Sequence, residues 1–387
     1  LMAHEHRQAP RESSQTHAHR DARRDANVAK ANLLFKDPKY TNATDDVLRL
    51  AYRSAFNEKA FKEAREQLTR VARFADKNLF VDILAPDQAK EDAWVVVVLP
   101  LRTDFLRWIV SIYGPDVIGG NSTIGGAYEH DAKRLVSMDL GATLRHEFFH
   151  VLHWRDNTRR GQSHPIWIQE GLCSLIEDYD LDAAGNVQPS TSWRTNIAKR
   201  LENLRKLMPI ETLAAMTPLK FTGQRPLANY AQARAVFLYL WQEGKLKEWY
   251  AHYVANHHKD TTGIKSFEAV LGKPIKEINL DYRRWLRDLP TVPESIPEGA
   301  ASLGVEVDSG AGEGPVVTSV NRTARNFSDP KTALSRSDII TGIDGKATRD
   351  IAELVRVLSA YNVGDEVEVE YRRVKKFATT KVKLVPR

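Results

Sequence analysis

"LRHEFFHVLHWRD", residues 144–156, sets His146, His150, His153 and Asp156 on one short segment, with Glu147 directly after the first histidine. Leu140, Leu144, Phe148, Val151 and Leu152 flank them, so the segment reads as a helix with an apolar side. Residues four apart on a helix share a face and differ by about 6 Å of rise. Two imidazoles so spaced, His146 and His150, can converge on one metal ion at roughly 2.0–2.1 Å each. Glu147 lies one position round from the first. It flanks such an ion instead of binding it, where it can take the proton of an activated water. The pattern H-E-x-x-H therefore suits one zinc ion (Zn2+) and hydrolytic chemistry.

Two histidines leave zinc short of a third ligand, and three residues compete for that place. His153 lies seven positions from His146, about 10.5 Å along the axis, an awkward reach to a shared ion. Asp156 needs a sharp turn after the helix; that turn uses glycine, and the position holds His153. Glu170, in "PIWIQEGLC", follows His150 with nineteen residues between. A helix–loop–helix can return its carboxylate over the first helix.

The surrounding chain gives these helices a setting. Residues 1–44 are polar and poor in periodic apolar residues, and read as a loose tail in which His4, His6, His17 and His19 are unpositioned. From Asp45 to about residue 85 the apolar spacing predicts one or two amphipathic helices. "DAWVVVVLP" predicts a central strand ending at Pro100, "RTDFLRWIVSIYG" a helix ending at Gly114, and "GGAY" and "RLVSM" short strands. Asp139 is the expected N-cap of the motif helix. Pro165 is expected to start the helix that carries Glu170. "LDAAGNVQPS" predicts a hairpin turn; as a calcium loop it fails, because Pro189 stands where a bidentate glutamate belongs. Residues 193–290 read as helical with aromatic core positions, and "PTVPESIPEGAAS" as a linker, residues 291–300.

H-E-x-x-H followed at this spacing by W-I-x-E-G resembles the gluzincin metallopeptidases of the thermolysin-like fold, and more narrowly the bacterial peptidase MA-like family. "NYAQARAVFLYLW" and "SFEAVLGKPIKEINLDYRRWL" extend the likeness, which covers about residues 90–290. It implies zinc held by His146, His150 and Glu170, with Glu147 as general base. It also implies that the helix with Tyr230 passes the site, making that tyrosine the candidate donor to the oxyanion, with His164 and His153 as weaker alternatives; a core tyrosine is the other reading of Tyr230. The segment "GGAYEHDAKRLVSM" is the candidate edge strand for a substrate backbone, with Gly125 and Gly126 either allowing close approach or forming a tight turn. Relatives often place an acidic residue four positions after the glutamate ligand to orient a histidine; here that position is Ser174, and Glu177 or Asp178 are the substitutes. Cys173, one turn from Glu170, reads as a packing residue.

Residues 301–387 change character to short strands around one helix. "SLGVEV", "DIITGIDGKAT" and "DIAELVRVLS" resemble a PDZ domain of the bacterial protease-associated type. The resemblance implies that amides around Leu303, Gly304 and Val305 receive a peptide's terminal carboxylate; the alternative is a degenerate domain that only packs on the peptidase domain.

Composition limits the alternatives. A lone cysteine excludes internal disulfides and cysteine-based zinc sites. The charge of +6 is spread out, without a basic helix or aromatic RNA-binding motif, so no nucleic acid partner is expected. No apolar run is long enough to span a bilayer. No signal-peptide pattern opens at Leu1, and an exported or periplasmic bacterial protein is expected by analogy with similar two-domain proteins. The fold expectation is α+β: a zincin-like domain at residues 86–290, of mixed sheet, active-site helices and a helical C-terminal half, then a small β-rich PDZ domain. The functional expectation is a zinc peptidase acting on protein or peptide substrates. Endopeptidase action is preferred, since the sequence assigns no acidic residue to a free amino terminus. The alternatives are a catalytically inactive peptide-binding scaffold and zinc hydrolysis of a non-peptide amide.

Overall fold

The computed structural model describes residues 25–26, 28–29, 31–33, 36–45, 47–54, 58–85, 94–98, 102–115, 126–129, 132–137, 139–310 and 313–387. His4, His6, His17, His19 and Gly125 lie outside them.

A mixed five-stranded sheet comes first. β1 (Thr41–Asp45) pairs antiparallel with β2 (Leu50–Ser54), and β2 runs parallel to β3 (Trp94–Val98). The crossover between them is α1 (Glu58–Asn78). After α2 (Arg102–Tyr113) come β4 (Gly126–Glu129) and β5 (Arg134–Ser137), giving the order β1-β2-β3-β5-β4 with β4 at one edge. β3 takes the central place its valine run predicts. The helix expected from Asp45 starts only at Glu58. Leu50–Ser54 is instead a strand buried at all five positions. A strand buried on both faces shows no alternation, so its residues fit a helical spacing equally well.

α3 (Ala142–Arg160) carries the H-E-x-x-H motif. Its N-cap is Gly141, not Asp139; Asp139 stands two residues earlier and accepts the Gly141 amide at 2.6 Å. α4 (Ile166–Leu175) follows, with Pro165 at its N-cap. β6 (Tyr179–Leu181) and β7 (Val187–Pro189) form the expected hairpin. The helical half comprises α5 (Trp193–Asn203), α6 (Ile210–Ala214), α7 (Pro218–Gly223), α8 (Pro226–Gln242), α9 (Leu246–Asn256), α10 (Ile264–Leu271) and α11 (Ile275–Asp288).

Two details bring α4 and α8 together. A Cβ on Gly171 would stand 2.5 Å from the Phe237 ring and 3.0 Å from the Ala233 carbonyl, so only glycine lets the two helices approach this closely. Trp167, fully buried, stacks on Phe237 with centroids 5.1 Å apart. Truncating such a residue costs about 3–5 kcal/mol. One core runs from Leu48 on the sheet side to Leu289 after α11.

The C-terminal unit has its own core, including Leu303, Ile340, Leu354, Leu358 and Val369. Its strands are β8 (Ala301–Ser302), β9 (Val305–Asp308), β10 (Val316–Val320), β11 (Ile339–Ile343), β12 (Lys346–Ala347), β13 (Glu366–Arg373), β14 (Lys376–Lys383) and β15 (Val385–Pro386), with α12 (Ile351–Leu358) after β12. β9 is an edge of the main sheet, ordered β14-β13-β11-β10-β9. The proline-rich connection is fastened rather than free. Asn196 on α5 donates to the Val292 carbonyl at 3.0 Å and to Glu294 at 2.9 Å, and Arg200 reaches Glu294 at 2.7 Å.

Candidate metal centre

Three candidate ligand atoms meet between α3 and α4. His146 Nε2 and His150 Nε2 are 3.2 Å apart. Glu170 Oε2 lies 3.1 Å from the first and 3.5 Å from the second. Atoms about 2.0–2.1 Å from a tetrahedral ion stand about 3.3–3.4 Å from one another, so this triangle has the size of one face of a zinc site. All three residues are buried, Glu170 completely. His153 and Asp156, the other two candidates, point elsewhere.

The first imidazole is held from behind. Glu177 Oε1 lies 2.8 Å from His146 Nδ1. Glu177 also accepts Arg194 Nε at 2.7 Å and Nη2 at 3.0 Å. Burial works against its charge, but Arg194, Arg349 and His146 outweigh that and hold the carboxyl well below the usual range. An ionised carboxylate only accepts, so His146 Nδ1 carries a proton in either charge state, and it is loss of the Nε2 proton that turns a lone pair to the triangle. Burial likewise disfavours charge on His146, yet Glu170 and Glu177 raise it to about 9. The triangle is therefore a place that favours a positive charge, as a metal site must be.

The chain around Glu177 is clamped too. Arg145 of α3 donates to the Glu177 carbonyl and to that of Ile176. Arg234 of α8, fully buried, donates to the carbonyls of Ser174 at 2.9 Å, Asp178 at 3.1 Å and Ser190 at 2.6 Å. Burial brings its pKa down to about 10, so it stays charged near neutrality. Of the two substitutes for the acidic position lost at Ser174, Glu177 contacts the histidine. Asp178 faces Arg356 at 3.6 Å.

Glu147 is buried beside the triangle under the edge strand β4. A Cβ on Gly126 would lie 2.6 Å from Glu147 Cγ and 2.9 Å from Thr143 Cγ2. Close approach of backbone to side chain, not a turn, explains this glycine. Tyr128 of the same strand stacks on His150, centroids 5.3 Å apart, and on Trp94 at 5.3 Å. The strand also carries Glu129, paired with the buried Arg134; nothing in its local spacing singles it out. Tyr230 on α8 has its ring 6.3 Å from the His146 ring, with the Arg194 guanidinium 5.4 Å away. Burial, then the charge of Glu170, pushes its hydroxyl well above the ordinary tyrosine range, so it remains a donor.

Cys173 is a rival third ligand, against the expectation from composition that no cysteine takes part in a zinc site. Its Sγ and the ligand nitrogens of His146 and His150 all lie within 4.8 Å of one another. Glu170 is the better fit, because its distances match a tetrahedral edge. Burial and the charges of Glu170, Glu147 and Glu177 also keep the Cys173 thiol protonated.

His153 and His164 form a second buried pair. His153 Nε2 is 2.8 Å from His164 Nδ1, and His164 Nε2 is 3.2 Å from Gln162 Oε1. Gln162 donates onward to the Val254 carbonyl at 2.8 Å, so its Oε1 accepts and both histidines are neutral donors in one chain. Neither is turned to the triangle. Asp156 is taken up by Arg159, by Arg160 at 2.9 Å and by Tyr250 at 2.8 Å.

In the C-terminal unit Leu303 is buried, with its carbonyl accepting Asn326 Nδ2 at 2.9 Å. Gly304 has φ 69°, its amide lies 3.3 Å from Ser302 Oγ, and Val305 opens β9.

Residues 301–384 match the PDZ domain family. The chain is 35% identical over 91 residues to the serine protease Do-like HtrA of Lactobacillus helveticus, a match covering 24% of this chain. This chain thus spans 21% of that relative's length. Among solved structures, the HtrA-type protease AlgW with decapeptide is similar at TM-score 0.20 and 18% identity, over 29% of this chain and 35% of that one. An aminopeptidase N family protein from Idiomarina loihiensis is similar at TM-score 0.35 and 14% identity, over 90% of this chain and 67% of that one. The chain is a mixed helix and sheet protein with a C-terminal PDZ domain.

Proposed function

We propose that the chain is a zinc-dependent peptidase, in which His146, His150 and Glu170 hold one ion and Glu147 is the general base. The observation that carries this reading is the triangle of two imidazole nitrogens and one carboxylate oxygen with edges of 3.1–3.5 Å, beside a buried glutamate on the same helix. When bound, zinc supplies Lewis acidity and makes hydroxide accessible near neutrality, at about pH 7.

The rest is the work of side chains. Glu147 takes the proton of the attacking water and passes it to the leaving amine. Tyr230, kept protonated, donates to the oxygen that gains charge as the carbonyl becomes tetrahedral. The edge strand β4 offers backbone groups to an extended substrate, and Gly126 lets that strand lie against Glu147. The PDZ domain recruits protein substrates or regulates access, with Leu303, Gly304 and Val305 meeting a C-terminal peptide.

The test is zinc content together with cleavage of a peptide library with free and blocked amino termini. The intact chain binds zinc and cleaves, and cutting of blocked peptides marks an endopeptidase. Glu147→Gln keeps zinc and loses about 10³-fold in kcat. Undiminished cleavage by that variant removes Glu147 from the mechanism. A zinc-loaded chain that cuts nothing favours the inactive scaffold, or a non-peptide amide as substrate.

A further inference from the structure

The C-terminal domain reaches the metal triangle through one side chain. Arg349 stands between β12 and α12, and its Nη2 lies 3.2 Å from Glu177 Oε2. Glu177 thereby receives four donors: Arg194 Nε and Arg349 Nη2 on Oε2, Arg194 Nη2 and His146 Nδ1 on Oε1. Four is about the full accepting capacity of a carboxylate. Glu177 is 0% exposed, so solvent does not readily substitute for a lost donor.

Arg349 is itself aimed. Glu353 of α12 accepts its Nη2 at 2.7 Å, its Nε at 3.0 Å and its main-chain amide at 2.6 Å. The Trp193 ring carries both guanidiniums, Arg194 at 4.5 Å and Arg349 at 5.1 Å. A second contact runs the same way: the Gly345 carbonyl accepts the Leu140 amide at 2.9 Å, two residues before α3 begins. A domain that only recruited substrate would need neither contact.

We propose that Arg349 is a positioning residue for His146, so that the PDZ domain completes the metal centre of the other domain. Arg349 fixes Glu177, and Glu177 fixes the tautomer and direction of the imidazole. The inference rests on the reading of His146 as a zinc ligand.

The test uses the full chain and measures zinc affinity by competition with a chromophoric chelator, thermal unfolding, and kcat and KM on a peptide substrate. Arg349→Gln weakens zinc binding about 10- to 100-fold and lowers kcat with KM little changed. Arg349→Lys gives a smaller loss, because an ammonium cannot serve Glu353 and Glu177 together as a guanidinium fork does. Arg356→Gln is the control. It breaks the contact to the Tyr179 carbonyl at 2.7 Å across the same interface without touching Glu177, and leaves zinc affinity within about twofold. If Arg349→Gln does not fold, Arg349→Lys decides alone: unchanged zinc affinity overturns the inference. Equal losses in the Arg349 and Arg356 variants also overturn it, as general loosening of the interface. A wild-type chain that takes no zinc overturns both this and the zinc reading. Tight zinc binding by wild type and both Arg349 variants overturns this inference alone.

Discussion

Two pairs of buried histidines, one wholly on α3 and one joining His153 of α3 to His164 of the loop after it, have opposite properties. His146 and His150 face Glu170, with Glu177 behind, and His146 is raised to about 9. His153 and His164 face each other, Gln162 and aromatic rings, and His153 is lowered by burial to about 3. Burial is the same in both; the partners differ. A carboxylate 3.1 Å from one imidazole makes that pair a candidate cation site, and without an acid in hydrogen-bond reach a similar pair is neutral core. Histidine count along a helix therefore says little until the second element arrives with or without its acid.

The comparison can be broken most forcefully at its acid. Glu170→Gln is expected to take the zinc content from about one ion per chain to none, while His164→Gln leaves it in place. Equal zinc in both, measured by atomic absorption after dialysis, would remove the distinction. Next in size is Gly126→Ala. Its methyl displaces Glu147 and should lower kcat about 10²-fold with zinc retained. Steady-state kinetics check this, and unchanged kcat would show that β4 does not confine the base.

The neutral pair has a pH signature. A histidine whose folded pKa lies below its ordinary 6.5 is protonated first in the unfolded chain. Its stabilising share is present above pH 6.5 and is lost as pH falls towards about 3. The slope is about 1.4 kcal/mol per pH unit for one such proton. Urea titrations across that window should show it, and His153→Gln should flatten it; a parallel slope in the variant contradicts a buried neutral His153. The smallest effect is expected at Cys173. Cys173→Ala should leave zinc affinity unchanged and cost roughly 1 kcal/mol of stability, and a large loss of zinc would make the thiol a ligand in place of Glu170.

The features that lay in local pattern were legible. The valine run of β3, the hairpin of β6 and β7, and the PDZ segment announce themselves within a few residues of sequence. The H-E-x-x-H spacing follows from helix geometry, although its pairing with Glu170 came from resemblance. β2 is not legible as a strand, because one buried on both faces has no period of two to show. Asp139 looks like the cap because Asp is favoured there, whereas its side chain turns the chain just before the cap. Glu177 stayed one of two options, since nothing local tells which acid faces back to His146. Arg349 gave no signal at all: it is 172 residues from the glutamate it contacts. Long-range ion pairs are written in topology, not in spacing.

Anomalous diffraction at the zinc edge, from crystals of the full chain, tests the central claim most directly. The account predicts one peak, coordinated by His146 Nε2, His150 Nε2 and Glu170 Oε2, with Glu147 beside it and Cys173 outside bonding distance. A peak at His153 and His164, or one bonded to Cys173 with Glu170 turned away, would contradict it.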